Sequence, residues 1–126
     1  EDLSPIAVVP QDISRAILNI VNNAFYAIWE RSKTEGEDYK PTIDICTSEE
    51  GEELSIIIGD NGNGMTDEVK AKLYDNFFTT KPVGHGTGLG MAITRNIIDQ
   101  HHGRIEFSSV EHEGTRFSLI IPIAKK

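Results

Sequence analysis

Apolar residues recur with a helical period in two segments of the chain, and each segment predicts an amphipathic helix. The first runs from residue 11 to residue 32 and contains neither proline nor glycine. The second starts near residue 88 and continues to about residue 101, with Gly103 as its C-terminal stop. The residues expected to face the core are Ile13, Ile17, Ile20, Ala24 and Ile28 in the first helix, and Leu89, Ala92, Ile93, Ile97 and Ile98 in the second.

Other segments are short and apolar or alternate apolar with polar residues, which predicts β-strands. The first is expected to be a short edge strand that stops at Pro10, and the other four form two hairpins, each with a short turn. These segments are residues 6–9, 42–48, 53–59, 104–109 and 115–123.

The order of helix, hairpin, loop, helix and hairpin predicts an α+β fold in two layers. We expect a mostly antiparallel, mixed sheet of about five strands with about three helices on one face. The third helix is short, over residues 66–74, with Thr66 as its N-cap. A doubly wound parallel sheet would need a crossover helix after each strand, and this order does not provide one.

The size and composition predict one globular domain that covers residues 1–126. The chain has 38% hydrophobic and 25% charged residues. Cys46 is its only cysteine, which excludes an intramolecular disulfide and favours a reducing cytoplasm. No apolar run approaches the ~20 residues of a membrane span, and the N-terminus lacks a signal-peptide pattern, so no direct membrane contact is expected.

The charge balance disfavours nucleic acid as a partner. Twelve basic and 20 acidic residues give a net charge of −8, whereas duplex binding depends on cationic side chains. A phosphate ligand would therefore have to be held locally, by backbone N–H groups, a metal ion and a few cations.

Two motifs carry polar groups suited to a nucleotide. Asn19 and Asn23 lie one helical turn apart, and an amide oxygen there can bind Mg²⁺ when phosphates supply the charge. A solvated polar stripe is the alternative. Asp60, at the end of an apolar strand, can accept a hydrogen bond from an exocyclic amine such as that of adenine, while Gly62 and Gly64 let the backbone turn beneath the base. A plain turn remains open there, and a calcium loop fails on ligand spacing.

Two further motifs lie between the short helix and the last long helix. Glycines at 84, 86, 88 and 90 lead into a helix N-terminus, whose N–H groups can face an anion. The spacing matches neither the P-loop nor the dinucleotide-binding fingerprint, and simple flexibility is the alternative. In the stretch of residues 76–81, paired phenylalanines could anchor a lid and Lys81 could reach a phosphate oxygen. Ordinary core rings with a solvated lysine remain possible.

These motifs, in this order, make the chain closely resemble the catalytic ATP-binding domain of bacterial sensor histidine kinases, within the Bergerat-fold superfamily. Residues 19–24 match the asparagine box and residues 60–64 the first glycine box. Residues 77–81 match the phenylalanine box as F-F-T-T-K, and residues 86–90 the second glycine box as G-T-G-L-G. The likeness covers about residues 11–123.

The resemblance implies ATP and Mg²⁺ as cofactors. Asn23 would bind the metal with help from Asn19, Asp60 would read the adenine amine, and Lys81 would contact phosphate. Many relatives have a basic residue at the position of Tyr26, so Lys81 is the candidate substitute. The remaining residues that the resemblance assigns to the nucleotide site are Gly62, Gly64, Phe78, Thr80, Gly86, Thr87, Gly88, Leu89, Gly90 and Thr115.

The resemblance implies γ-phosphoryl transfer to a histidine on a separate dimerisation domain, which is absent from this chain, and a cognate response regulator as further partner. The isolated domain is expected to be a monomer that does not autophosphorylate, and its parent a homodimer. Three alternatives stay open: an ATP-hydrolysing relative, an anti-sigma-type serine kinase and a non-catalytic nucleotide-binding module. The first normally has a glutamate at the position of Asn19, and a neutral amide cannot act as a general base.

Overall fold

The computed structural model describes residues 10–74 and 90–122. It contains three helices and four strands within those residues. They are α1 (Pro10–Ser32), β1 (Ile43–Glu50), β2 (Glu53–Asp60), α2 (Asp67–Lys72), α3 (Gly90–Gln100), β3 (Arg104–Val110) and β4 (Gly114–Pro122). The edge strand predicted at residues 6–9, the irregular segment at 76–85 and the start of the second long helix lie outside the described residues.

The four strands form one sheet in the order β1-β2-β4-β3, and all three pairings are antiparallel. The two sequence hairpins, β1-β2 and β3-β4, therefore join through β2 and β4 at the centre of the sheet. The two long helices contact each other and the same sheet, and the predicted α+β fold is confirmed. Within the described segments no helix combines the length and apolarity needed to cross a bilayer.

The core lies between the sheet and the two long helices. α1 contacts α3, β2 and β4, and α3 also contacts β3. Ile56 and Ile58 of β2 point toward the helices, as the alternation predicts. The residues buried together in this cluster are Ile20, Ile56, Ile58, Met91, Ile98, Phe117, Leu119 and Ile121.

The helix layer covers the central strands better than the edge strand β1. Ile45 and Ile58 are direct cross-strand partners on the same face of the sheet, yet Ile45 is 52% exposed and Ile58 only 1%. The difference arises because α1 packs over β2 and β4. Periodicity alone places both isoleucines on the inner face and cannot show how far the helices extend.

The helix ends follow ordinary capping rules, with one change from expectation. The Thr66 hydroxyl accepts a hydrogen bond from Val69 N–H at 3.2 Å, which confirms the predicted N-cap of α2. After α3, Gly103 N–H donates to the Ile98 carbonyl at 2.9 Å. The residue with left-handed backbone is His102, at φ 62°, rather than the glycine that follows it.

The isoleucine pair predicts a large difference between two chemically identical substitutions. Ile58→Ala should lower the free energy of unfolding by about 2–5 kcal/mol, because it leaves a cavity in the core. Ile45→Ala should cost less than about 1 kcal/mol, the scale of one cross-strand contact. Urea denaturation of both variants measures this, and equal losses would mean that β1 is covered in solution.

Candidate functional site

A cavity of about 750 Å³ opens between α1, α2, the end of β2 and the β3-β4 turn. Its walls come from distant parts of the chain, because α1 crosses the sheet beside the end of β2. Six of the predicted site residues line it: Asn19, Asn23, Asp60, Gly64, Gly90 and Thr115. Seven others lie outside the described residues: Phe78, Thr80, Lys81, Gly86, Thr87, Gly88 and Leu89.

The two predicted asparagines of α1 differ in their contacts. Asn19 Nδ2 donates to the Gly90 carbonyl at 3.1 Å and to Thr94 Oγ1 at 3.2 Å, which ties α1 to the start of α3. Both amide hydrogens are thereby used, and Oδ1 remains as an acceptor. Asn23 and Asn22 also line the cavity, and Asn22 is the more exposed of the two.

Asp60 lies at the last position of β2, directly opposite Thr115 of β4. The Gly62 N–H donates to Asp60 Oδ1 at 2.8 Å. Burial raises the pKa of the Asp60 carboxyl above its ordinary value, and the backbone N–H groups of Gly62 and Thr115 oppose this by stabilising the charged form. The result is a partly buried carboxylate that faces a cavity.

Close packing explains the glycines that follow Asp60. Gly62 is buried against α1, and a Cβ at this position would lie only 2.6 Å from the carbonyl carbon of Ala27. Gly64 has a φ of 71°, and a Cβ there would collide with the Val110 carbonyl. The loop is thus enclosed between α1 and the β3-β4 turn, where only glycine fits. Gly62 supports the cavity wall rather than lining it.

A buried serine that the sequence analysis missed supports the other side of the loop. Ser109 Oγ donates to the Gly114 carbonyl at 3.1 Å and accepts from Met65 N–H at 2.8 Å. It also lies 2.8 Å from Thr115 Oγ1. Either hydroxyl can donate in that last bond, which ties the two side chains together. Ser109 therefore holds the loop and orients Thr115 at once.

A second missed cluster surrounds the backbone of Asn61. Arg31 Nη1 donates to the carbonyls of Asn61 at 2.9 Å and Gly62 at 3.3 Å, and the Tyr39 hydroxyl donates to the Asn61 carbonyl at 2.9 Å. The Asn61 side chain accepts from Thr42 N–H at 2.8 Å. A basic residue in the last turn of a helix is common, so the sequence carried no signal for this contact.

Charged and polar residues that the sequence motifs did not predict also line the cavity. Tyr26 donates its hydroxyl proton to Glu30 Oε2 at 2.9 Å. It therefore places a phenol, and no cation, in the wall. Glu111 and His112 of the β3-β4 turn line the opposite side, and the His112 N–H donates to the Asn63 carbonyl at 2.6 Å.

The chain is similar to known proteins over almost its whole length. Residues 8–125 match the family profile of histidine kinase-, DNA gyrase B- and HSP90-like ATPases. The sensor histidine kinase ZraS of Escherichia coli O157:H7 is 32% identical over 123 residues, which are 98% of this chain and 24% of that protein. The histidine-protein kinase AtoS of Escherichia coli K12 is 36% identical over 122 residues, 97% of this chain and 18% of that protein. The chain thus spans about a quarter or less of these relatives.

Solved structures resemble the chain over most of its length. A nucleotide-free crystal form of the catalytic domain of histidine kinase ThkA has a TM-score of 0.71 and 32% identity, with 91% of this chain and 68% of that chain covered. The mycobacterial sensor histidine kinase MprB has a TM-score of 0.73 at 18% identity, with 96% and 78% covered. At 18% identity, the likeness to MprB shows a shared fold and nothing more.

The raised pKa of Asp60 predicts a pH-dependent contribution to stability. Because the folded pKa lies above the unfolded one, the folded state holds the proton more tightly, and stability falls as pH rises above the ordinary value of 3.8. Asp60→Asn carries no such charge. The free energy of unfolding of the variant, minus that of the unmodified protein, should therefore be larger at about pH 7 than at about pH 4. Urea denaturation at both pH values measures this, and a difference that does not change with pH would contradict it.

Proposed function

The chain belongs to the histidine kinase-, DNA gyrase B- and HSP90-like ATPase family, and we propose that it is the ATP-binding catalytic domain of a sensor histidine kinase. In this proposal the single domain of residues 1–126 presents Mg-ATP for transfer of the γ-phosphoryl group to a histidine on a separate dimerisation domain. The observation that carries the proposal is that Asn23, from α1, and Asp60, from the end of β2, line one cavity.

Asp60 supplies the nucleobase end of the proposed site. One carboxylate oxygen is held by the Gly62 N–H, and the carboxylate can still accept a hydrogen bond from an exocyclic amine of adenine. Gly62 and Gly64 keep the backbone beside it free of side chains. The Thr115 hydroxyl, which is hydrogen-bonded to Ser109, is a second polar group at this end.

Asn23 supplies the metal end, with Asn19 beside it. The donor set fits Mg²⁺, because amide oxygens are hard neutral ligands and the phosphates of ATP bring the negative charge that the ion needs. The amide hydrogens of Asn19 are used at Gly90 and Thr94, which leaves its oxygen for the metal or its water shell. When bound, Mg²⁺ would neutralise charge on the phosphates during transfer.

The protein's own groups would position the triphosphate. The N-terminus of α3 begins at Gly90 on the cavity wall, where helix N–H groups favour an anion. Gly86, Thr87, Gly88 and Leu89 would border the phosphates just before it, and Phe78, Thr80 and Lys81 would belong to the lid. Because phosphoryl transfer depends on alignment and charge neutralisation, this domain needs no general base of its own.

The acceptor histidine is proposed to lie on another domain. His101 is buried, with Nδ1 at 2.7 Å from the Ile97 carbonyl, and His112 lies in a hairpin turn that lines the cavity. His102, the third histidine among the described residues, lies in the turn after α3, so none of the three lies within a helix. The partners would therefore be a dimerisation and phosphotransfer domain of the parent protein and a cognate response regulator. The proposed setting is cytoplasmic, with a homodimeric parent and a monomeric isolated domain.

ATP hydrolysis as the principal activity is less well supported. A hydrolysing enzyme needs a group that accepts a proton from water, and the position one turn before Asn23 holds an amide. That amide is also committed to α3, where it donates to both Gly90 and Thr94. Asn19 therefore acts as a structural tie and a neutral ligand in this proposal.

The metal role of Asn23 predicts a loss that depends on magnesium. Asn23→Ala should weaken the binding of ATP in the presence of Mg²⁺ by about tenfold or more, equivalent to ~1.4 kcal/mol, and should change little without the metal. Asn96→Ala, at an exposed position of α3 that does not line the cavity, is the matched control and should bind as the unmodified protein does. Isothermal titration calorimetry with and without Mg²⁺ measures both. Equal losses in the two conditions would argue against metal binding by Asn23.

The isolated chain should bind ATP without phosphorylating itself. Incubation with γ-labelled ATP is expected to give no stable protein-bound phosphate, because the acceptor histidine is on another domain. Addition of a dimerisation domain that carries such a histidine should give phosphate that resists base and is labile to acid. The same label on the isolated chain would contradict the proposed division of roles.

A further inference from the structure

One peptide unit connects an arginine outside the cavity to the carboxylate inside it. The Asn61 carbonyl and the Gly62 N–H belong to the same planar peptide group. Its oxygen accepts from Arg31 Nη1 and from the Tyr39 hydroxyl, both at 2.9 Å, and its N–H donates to Asp60 Oδ1 at 2.8 Å. Arg31 and Asp60 therefore face opposite ends of one rigid amide.

We propose that Arg31 is a positioning residue for nucleobase recognition, and that it acts through the Asn61–Gly62 peptide to orient the carboxylate of Asp60 toward the exocyclic amine of a purine. This inference rests on the proposed function. Arg31 does not line the cavity, so its influence on the base must pass through the groups that it holds.

The guanidinium is itself held in place by four groups. Nε donates to Glu35 Oε2 at 3.3 Å, the Tyr39 ring lies 4.9 Å from the guanidinium carbon, and Nη1 reaches the two loop carbonyls. The Arg31 side chain is only 20% exposed. A fixed arginine that donates to a carbonyl also polarises that amide, which strengthens its N–H as a donor to the carboxylate. The carboxylate accepts from the N–H groups of Gly62 and Thr115 and keeps further lone pairs for the ligand.

The Asn61 side chain prevents the peptide from turning. Its Oδ1 accepts from Thr42 N–H at 2.8 Å and its Nδ2 donates to the Lys40 carbonyl at 2.8 Å. The Asn61–Gly62 peptide is therefore held in place by hydrogen bonds of the Asn61 side chain and of the Asn61 carbonyl. Arg31 supplies the only charged group among the donors to this carbonyl in residues 10–74 and 90–122.

The test compares two nucleotides that differ in a single group. ATP and purine riboside 5′-triphosphate share the ribose and phosphates, and only ATP carries the 6-amino group. The dissociation constants of both, measured by calorimetry with Mg²⁺ on the unmodified chain and on Arg31→Met, give an amine discrimination ratio. We expect a ratio of about tenfold or more in the unmodified chain. In Arg31→Met the ratio should fall to within about threefold of one, mainly through weaker ATP binding.

Three further variants separate positioning from general stability. Arg104→Met is the matched control, because Arg104 is likewise paired with glutamate but lies at an exposed sheet edge away from the cavity, and its ratio should not change. Arg31→Lys keeps the charge and should restore part of the ratio. Tyr39→Phe removes one donor to the Asn61 carbonyl and should lower the ratio less than Arg31→Met. If Arg31→Met does not fold, as judged by circular dichroism, the lysine and phenylalanine variants decide the question.

The outcomes distinguish this inference from the proposed function. If both dissociation constants rise by the same factor in Arg31→Met, the ratio is unchanged, and Arg31 is only structural. If the unmodified chain binds the two triphosphates equally well, the carboxylate does not read the amine, and the inference fails while nucleotide binding stands. If the unmodified chain binds neither triphosphate, the proposed function fails and the inference with it.

Discussion

The enclosure of the loop after β2 is the constraint on which the site depends. Asp60 ends a buried strand, and the next residues pass between α1 and the β3-β4 turn with no room for side chains at Gly62 and Gly64. Backbone polar groups in such a place must find partners, because an unpaired buried N–H or carbonyl is costly. The loop finds them in Arg31 and Tyr39 on one side and in Ser109 on the other. The same contacts that satisfy the loop also hold its carboxylate at the cavity.

The layered architecture explains how residues far apart in the chain meet at one cavity. The antiparallel register places Thr115 directly opposite Asp60, and the packing of α1 across β2 and β4 places Asn19 and Asn23 on the neighbouring wall. Asn19 is bonded to the start of α3, so the two long helices and the cavity share one polar contact. Asn19 therefore contributes both to the packing of the two helices and to the wall of the cavity.

An acidic protein that binds a polyanion must use local devices instead of an overall positive field. The net charge is −8, and the described part of the cavity wall carries Glu30, Glu35 and Glu111. In the proposed site, the positive end of a helix, a metal ion bound by neutral amides and a lid lysine meet the phosphates. Acidic walls would then repel any phosphate that lacks its metal, which favours the magnesium complex over free ATP.

The sequence alone determined the elements, their order, the two-layer class and the polar residues that carry the chemistry, because periodicity, caps and motifs are local properties of the chain. Asn19, Asn23, Asp60 and Thr115 could be proposed on that basis, and the structure brings them to one cavity. Only the tertiary structure showed that Ile45 stays exposed, and that Arg31, Tyr39 and Ser109 support the loop from behind. Those roles depend on contacts between residues distant in the chain, and an arginine, a tyrosine or a serine at a helix end, in a loop or in a strand has no local pattern that reveals its partner.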